Sequence, residues 1–255
     1  MALRFASLGS GSRGNATVVV RDRTRLLLDC GFGLREATRR LATLGLAPAD
    51  LTAILVTHEH ADHIGGVARL ARRHALPVYM TPGTWQGAGR PDIERLELIS
   101  PHESFAVQDL QVCPYPVPHD AREPCQFLFD DGAHRLGVLS DTGASTPHIV
   151  AQLQRLDALL LEFNHDRQLL AQGPYPAMLR RRVGGDWGHL SNCQAAGLLQ
   201  QLDRSCLQHL VAGHISEQNN SPAHVRAALG AVLAAEAEGM ELADQDAGLG
   251  WRELR

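Results

Sequence analysis

Short apolar runs rich in Val, Ile and Leu, bounded by Gly, Pro, Asp or His, recur along the chain. They fall at residues 16–20 (ATVVV), 25–30 (RLLLDC), 53–57 (AILVT), 77–80 (PVYM), 110–117 (LQVCPYPV), 135–141 (RLGVLSD) and 158–163 (ALLLEF). Runs of this length with turn formers at their ends predict β-strands. Between them the period changes. In residues 34–45, Leu34, Ala37, Leu41 and Leu44 fall on one helical stripe. GGVARLARRH predicts a second helix ending at His74. Three more helices carry start signals: Thr146 followed by Pro147, Ser191 with Gln194 in a capping-box pattern, and Ser221 followed by Pro222 at the head of SPAHVRAALGAVLAAEA.

Strands interleaved with helices predict an α/β protein. The strand-like stretches on either side of residues 107–138 add hairpins to the crossovers, an α+β tendency. The sequence shows no repeat, no low-complexity segment and no Pro/Gly/Ser linker, so we expect one domain over residues 1–255. Residues 236–255 hold six acidic residues against two arginines and predict a solvated face.

Composition refines this picture only in places. The chain is 44% hydrophobic and 20% charged, which is ordinary for a globular protein and excludes disorder. A net charge of -4 excludes a broadly basic nucleic-acid binder but leaves room for a local basic patch. No signal-peptide features and no membrane-length apolar run occur, so a cytoplasmic protein with no membrane partner is expected. Cys30, Cys113, Cys125, Cys193 and Cys206 are odd in number and form no C-x-x-C pair, which predicts reduced thiols. Aromatic residues make up only 5%, too few for a long base-stacking platform.

Histidine does change the picture: there are 13, and the stretch THEHADHIGG gathers His58, His60, Asp62 and His63 at a strand-to-helix junction. In α/β sheets, ligand-binding residues collect in loops at the carboxyl ends of strands. His58 and His60, two apart at a strand exit, can face one metal ion, and Asp62 and His63 can point at a second. An Asp at position 62 excludes the H-E-x-x-H helix of zincin proteases. Further candidate ligands end apolar runs: His119, Asp141 and His214, with Asp29 better suited to orienting a ligand than to being one. Carboxylate with imidazole suits Zn²⁺, Mn²⁺ or Fe. A carboxylate such as Asp141 can bridge two ions, and the pair would acidify a bridging water and clamp the attacking and leaving oxygens.

The run His58-x-His60-x-Asp62-His63, followed in order by His119, Asp141 and His214, resembles the metallo-β-lactamase superfamily over nearly the whole chain. That resemblance implies a four-layer αβ/βα sandwich and two divalent metal ions. His58, His60 and His119 would hold one, Asp62, His63 and His214 the other, and Asp141 would bridge them. The segments SLGSGSRGNAT, PHDAREP, LLEFNHD, GPYP, GDWGHLSN and GHISEQNNSP resemble the bacterial WalJ/YycJ subgroup, whose members look like 5′→3′ DNA exonucleases. GHLSNCQA is also similar to an element of the tRNA 3′-processing endonucleases, in which a histidine contacts the scissile phosphate. Carried over, that residue is His189.

The expected function is therefore a dinuclear-metal phosphodiesterase, foremost a 5′→3′ DNA exonuclease using a metal-bridging hydroxide. The alternatives are a phosphodiesterase on small or cyclic nucleotides and an RNA-processing nuclease. Asp62 and His189 are the expected catalytic residues. The small-residue loop with Ser10, Gly11, Ser12, Gly14 and Asn15, together with His165 and His189, would bind substrate. Arg180, Arg181 and Arg182 either approach phosphates along a strand path or form a solvated helix face. Asn219 and Asn220 could line the cleft, and Trp187 is either a stacking wall or core.

Overall fold

The computed structural model describes residues 2–255. The chain forms two compact units. The first is built from the chain up to Pro116, Ala121–His134 and Asp244–Arg255, the second from Val117–Asp120 and Arg135–Ala243.

The first unit opens with β1 (Arg4–Gly9), β2 (Ala16–Arg21) and β3 (Thr24–Leu28), then α1 (Leu34–Thr43), β4 (Ala53–Leu55), α2 (Ala61–Ile64), α3 (Val67–His74), β5 (Val78–Met80), α4 (Pro82–Gly87) and β6 (Leu96–Leu98). The strands β7 (Phe105–Val107), β8 (Leu110–Pro116) and β9 (Cys125–Asp130) form an antiparallel ladder. In the second unit lie β10 (Arg135–Leu139), α5 (Pro147–Gln152), β11 (Ala158–Glu162), α6 (Arg167–Gln172), α7 (Ala177–Val183), α8 (Asn192–Gln200), β12 (His209–Gly213), α9 (Pro222–Gly230), α10 (Ala234–Gly239) and β13 (Glu241–Leu242). The last strand, β14 (Leu249–Glu253), belongs to the first unit, where the strand order is β14-β1-β2-β3-β4-β5-β6.

In that sheet β3 to β6 run parallel, and the strands before them antiparallel. Val18, Val20, Leu27, Ile54 and Val78 from the sheet pack with Ala37 and Leu41 of α1 and with Val67 and Leu70 of α3. The predicted stripe on α1 is the one that faces this core. Arg40 joins it by lying over the Phe32 ring and donating to the carbonyls of Leu8 at 2.6 Å and Gln245 at 2.9 Å. Its guanidinium is thus dehydrated but hydrogen-bonded, which makes its burial affordable.

In the second unit β10, β11 and β12 run parallel. Parallel strands are covered on both faces and read as continuous apolar runs, and every residue of β11 is buried. The predicted caps are present: Thr146 accepts from Ile149 N–H, Ser191 and Gln194 form a capping box, and Ser221 accepts from His224 N–H. The long helix expected after Ser221 is instead two helices. Gly230 weakens it, and Leu233 leaves helical space at φ -145°, ψ 75° before α10 begins. The acidic C-terminal stretch is only partly a solvated face, since it supplies β13 and β14. The five cysteines are free thiols. Among the described residues, no helix is long and apolar enough to cross a membrane.

Candidate active site

In the first unit, the parallel run of β3, β4 and β5 puts their carboxyl ends along one edge. Asp29 follows β3, while Thr57 and His58 follow β4. Asp29 is buried in left-handed backbone, φ 60°. It accepts from Thr57 N–H at 2.8 Å, from Thr57 Oγ1 at 2.9 Å and from His63 Nδ1 at 2.8 Å. Because Thr57 gives its hydroxyl proton to Asp29, it accepts from His58 Nδ1, 2.9 Å away. Asp29 thereby sets both tautomers, leaving the Nε2 lone pairs of His58 and His63 to face away from it.

Those lone pairs converge with two others. His58 Nε2 lies 3.0 Å from His60 Nδ1. The Asn15 side-chain amide touches both His63 Nε2, at 3.0 Å, and Asp62 Oδ2, at 3.2 Å. Donor pairs focused in this way suit a divalent cation, so the residues present fit the metal the motif implies. The helix bearing Asp62 comes this close because position 31 is glycine: a Cβ there would stand 1.9 Å from the Asp62 carbonyl oxygen.

The small-residue loop braces this arrangement. Asn15 donates to Gly11 O at 3.0 Å, Gly11 N–H returns to Asn15 Oδ1 at 2.8 Å, and Asn15 N–H reaches Asp62 O at 2.8 Å. The N–H groups of Ser10, Arg13 and Gly14 are also spent, on Asp244 O, Gln245 Oε1 and Gly11 O. The expected anion nest of backbone amides is therefore largely occupied by the protein itself. Ser10 and Asn15 are buried, and Ser12 is exposed.

In the second unit the same edge logic works on scattered residues. Asp141 lies just past β10, Glu162 ends β11 and His214 follows β12. Asp141 and His214 each take φ 50°. With His189 they form a group whose ligand atoms all lie within 4.8 Å of one another. Asp141 Oδ2 accepts from Ser140 Oγ at 2.5 Å and lies 3.0 Å from His214 Nδ1. His189 stands between two imidazoles, its ring centroid 5.2 Å from those of His119 and His214.

His189 Nδ1 donates to Glu162 Oε1 at 2.7 Å. The other Glu162 oxygen accepts from Thr142 N–H at 3.1 Å and Leu190 N–H at 3.3 Å. Burial alone would lower the His189 pKa. The charge and hydrogen bond of Glu162, then Asp141 and Asp120, outweigh it and raise the value from 6.5 to about 9. His119 goes the other way, because burial holds it below 6.5 against the pull of Asp141. With Nδ1 donating to Gly188 O at 3.0 Å, it is the neutral imidazole that metal binding requires. Glu162 was not among the expected site residues. Its signal was a carboxylate closing the wholly apolar run ALLLE, where a parallel strand leaves the sheet.

The remaining expectations sort by environment. Arg180, Arg181 and Arg182 lie on a helix, α7, in which no residue is buried. Arg182 pairs with Asp120, the neighbour of His119. Asn220 is buried and committed to Phe163 O and to a reciprocal pair with Asn192. Trp187 is 64% exposed and is not core. His165 is buried and lines a cavity with Arg167, Arg180 and Arg181.

Residues 24–215 match the beta-lactamase superfamily domain. The chain belongs to this family. It is 32% identical over 237 residues to Exodeoxyribonuclease YycJ of Bacillus anthracis, covering 91% of this chain and 90% of the relative. It is 31% identical over 226 residues to Exodeoxyribonuclease WalJ of Streptococcus pneumoniae, covering 86% and 84%. Its fold is similar to that of the metallo-beta-lactamase fold protein YhfI from Bacillus subtilis, with a TM-score of 0.75 at 17% identity over 99% of this chain and 100% of that one. The fold is thus the metallo-β-lactamase α/β sandwich, with mixed sheets flanked by helices, and the protein is a hydrolase of the metal-dependent kind.

Proposed function

We propose that the chain is a 5′→3′ DNA exonuclease, that residues 1–255 form a single domain, and that it holds two divalent ions. The observation that carries this reading is His189. A buried Glu162 anchors it beside Asp141 and His214, in a chain similar along most of its length to two exodeoxyribonucleases. We assign His58, His60 and His119 to one ion, Asp62, His63 and His214 to the other, and Asp141 to both. Zn²⁺ or Mn²⁺ suits this donor set, and Fe is chemically acceptable.

When bound, such ions supply Lewis acidity to phosphate oxygens and acidify a water. The rest is done by the chain. Glu162 holds His189 by Nδ1, so Nε2 presents its proton, and the raised pKa keeps that proton in place at neutral pH for delivery to the leaving oxygen. Asp62, aligned by Asn15, accepts a hydrogen bond from the attacking water and orients it. Ser12, exposed on the loop that Ser10, Gly11 and Asn15 shape, contacts the strand. Free cysteines fit a reducing compartment, and we place the enzyme in the cytoplasm, acting in DNA repair.

The test is incubation of the purified protein, with Mn²⁺ or Zn²⁺, on end-labelled single- and double-stranded DNA, on RNA and on a cyclic phosphodiester. Release of mononucleotides from DNA 5′ ends is expected. Turnover confined to RNA or to the cyclic ester overturns the assignment.

A further inference from the structure

The second unit carries an open pocket of about 600 Å³ that the reaction proposed above does not use. The helices α6 and α7 supply most of its wall. Its charged lining consists of Arg167, Arg180 and Arg181 against a single carboxylate, Asp186. His165 also lines it, only 2% exposed, with a buried Nδ1 that has no hydrogen-bond partner.

The arginines here differ from their neighbour on the same helix. Arg182 is consumed by Asp120. Arg180 spends one nitrogen on Ala171 O at 2.8 Å, and Arg167 spends Nε on Ser191 Oγ at 3.2 Å, which leaves most of each guanidinium fork. The Arg181 side chain has no hydrogen bond or ion pair among the described residues. Burial lowers the His165 pKa to about 4, so its ring is neutral at pH 7. The lining therefore carries two positive charges in excess.

We infer that this cavity is a second phosphate subsite, which takes the phosphate monoester of a nucleotide. A monoester carries about -1.5 to -2 charges at pH 7 and so balances the excess, whereas an internal phosphodiester would leave it half-neutralised. Guanidinium forks recognise phosphate bidentately. The volume lies within the usual range for small-molecule pockets, about 300–1,000 Å³, so sugar and base are accommodated along with the phosphate. The wall is also tied to the reacting end of this unit. Gly184 and Asp186 belong to the turn that delivers His189, whose N–H donates to Val183 O at 2.9 Å. The source of the nucleotide rests on the nuclease reading; the charge match does not.

Calorimetric titration of the full-length Asp141→Ala protein with 2′-deoxyadenosine 5′-monophosphate and with 2′-deoxyadenosine tests the subsite apart from the paired ions. The nucleotide should bind at least about tenfold more tightly than the nucleoside, and adding Arg180→Gln and Arg181→Gln should remove about tenfold of that affinity. Arg181→Gln alone changes only an exposed side chain and keeps the test available if the double replacement misfolds. Equal binding of nucleotide and nucleoside, or undiminished binding after the arginine replacements, overturns the subsite. In the protein with Asp141 intact, a preference for 5′-phosphorylated over 5′-hydroxyl DNA that disappears in the arginine variants identifies the strand end as the source. No preference, with nucleotide binding retained, identifies the released mononucleotide. Nucleotide binding by a protein that degrades no DNA would sink the nuclease reading and leave the subsite standing.

Discussion

The two units carry their site residues in opposite ways. In the first, four of them crowd into residues 58–63 on one strand-to-helix junction, and one buried carboxylate, Asp29, sets the tautomers of two. In the second, Asp141, Glu162 and His214 come from the ends of three parallel strands, and His189 from a turn between helices. The first arrangement is held by the backbone of one loop. The second exists only once a sheet has formed. Yet both use the same local device, an acid or imidazole held in left-handed backbone just past a parallel strand: Asp29 at φ 60°, Asp141 and His214 at φ 50°. Such conformations cost on the order of 1 kcal/mol or more each, a cost the surrounding sheet and hydrogen bonds must offset.

The largest expected effects come from removing one ligand on each side. If both halves are needed for the paired ions, His58→Ala and Asp141→Ala should each cut DNA hydrolysis by about a thousandfold, the loss of several kcal/mol of transition-state stabilisation. Metal content measured by elemental analysis should fall in both. Full activity in either variant would show that one half suffices and would break the dinuclear assignment.

Next comes the residue that only the second unit offers. His189→Ala should lower kcat by about 10²–10⁴-fold, the usual worth of a general acid, with metal content near normal. Loss of metal instead would make His189 a ligand and remove this asymmetry between the units.

Glu162 sharpens the contrast further, because it acts through His189. In the wild type, kcat/KM should decline as pH rises through about 9, where His189 loses its proton. Glu162→Gln should move that alkaline limb toward the ordinary histidine value of 6.5 and cost about 10–100-fold at neutral pH. The folded-state pKa is raised, so the pair's contribution is fully present below pH 6.5 and is lost as pH rises to about 9. Denaturant titrations of wild type and Glu162→Gln across that window should converge at its upper end. An unmoved alkaline limb would leave Glu162 a purely structural acid.

How much could be read from the chain alone follows the same division. THEHADH is legible because its donors are neighbours in sequence, and the caps at Thr146, Ser191 and Ser221 are legible because capping is a contact between residues three apart. Glu162 was not, since a lone glutamate ending an apolar run acquires meaning only when parallel pairing with β10 brings it to Asp141 and a later turn brings His189. The three arginines were ambiguous for a related reason. Charge shows in the sequence, but only the partners separate Arg182, paired with Asp120, from Arg180 and Arg181 at the cavity. The loop at Ser10–Asn15 carried a misleading signal, because its glycines and serines suggest open amides that the fold in fact consumes.

The smallest effects should separate the two ways of holding a carboxylate. Asn15 grips Asp62 by the side-chain oxygen at 3.2 Å and the carbonyl at 3.3 Å, while also closing its own loop onto Gly11. Ser140 holds its carboxylate by one bond, donating to the adjacent Asp141 at 2.5 Å, while its oxygen also lies 3.0 Å from His214 Nδ1. Asn15→Ala removes the buried pair of bonds to Gly11 together with the part-buried bond to Asp62 Oδ2 and should cost about 2 kcal/mol, against about 1 kcal/mol for Ser140→Ala. Urea denaturation measures both. Equal losses would mean that the Ser10–Asn15 loop is held by its backbone alone, since Asn15 N–H still reaches Asp62 O at 2.8 Å after the side chain is gone. An activity loss for Asn15→Ala larger than its stability loss explains would instead place the amide beside the substrate, and make the loop part of the site rather than its brace.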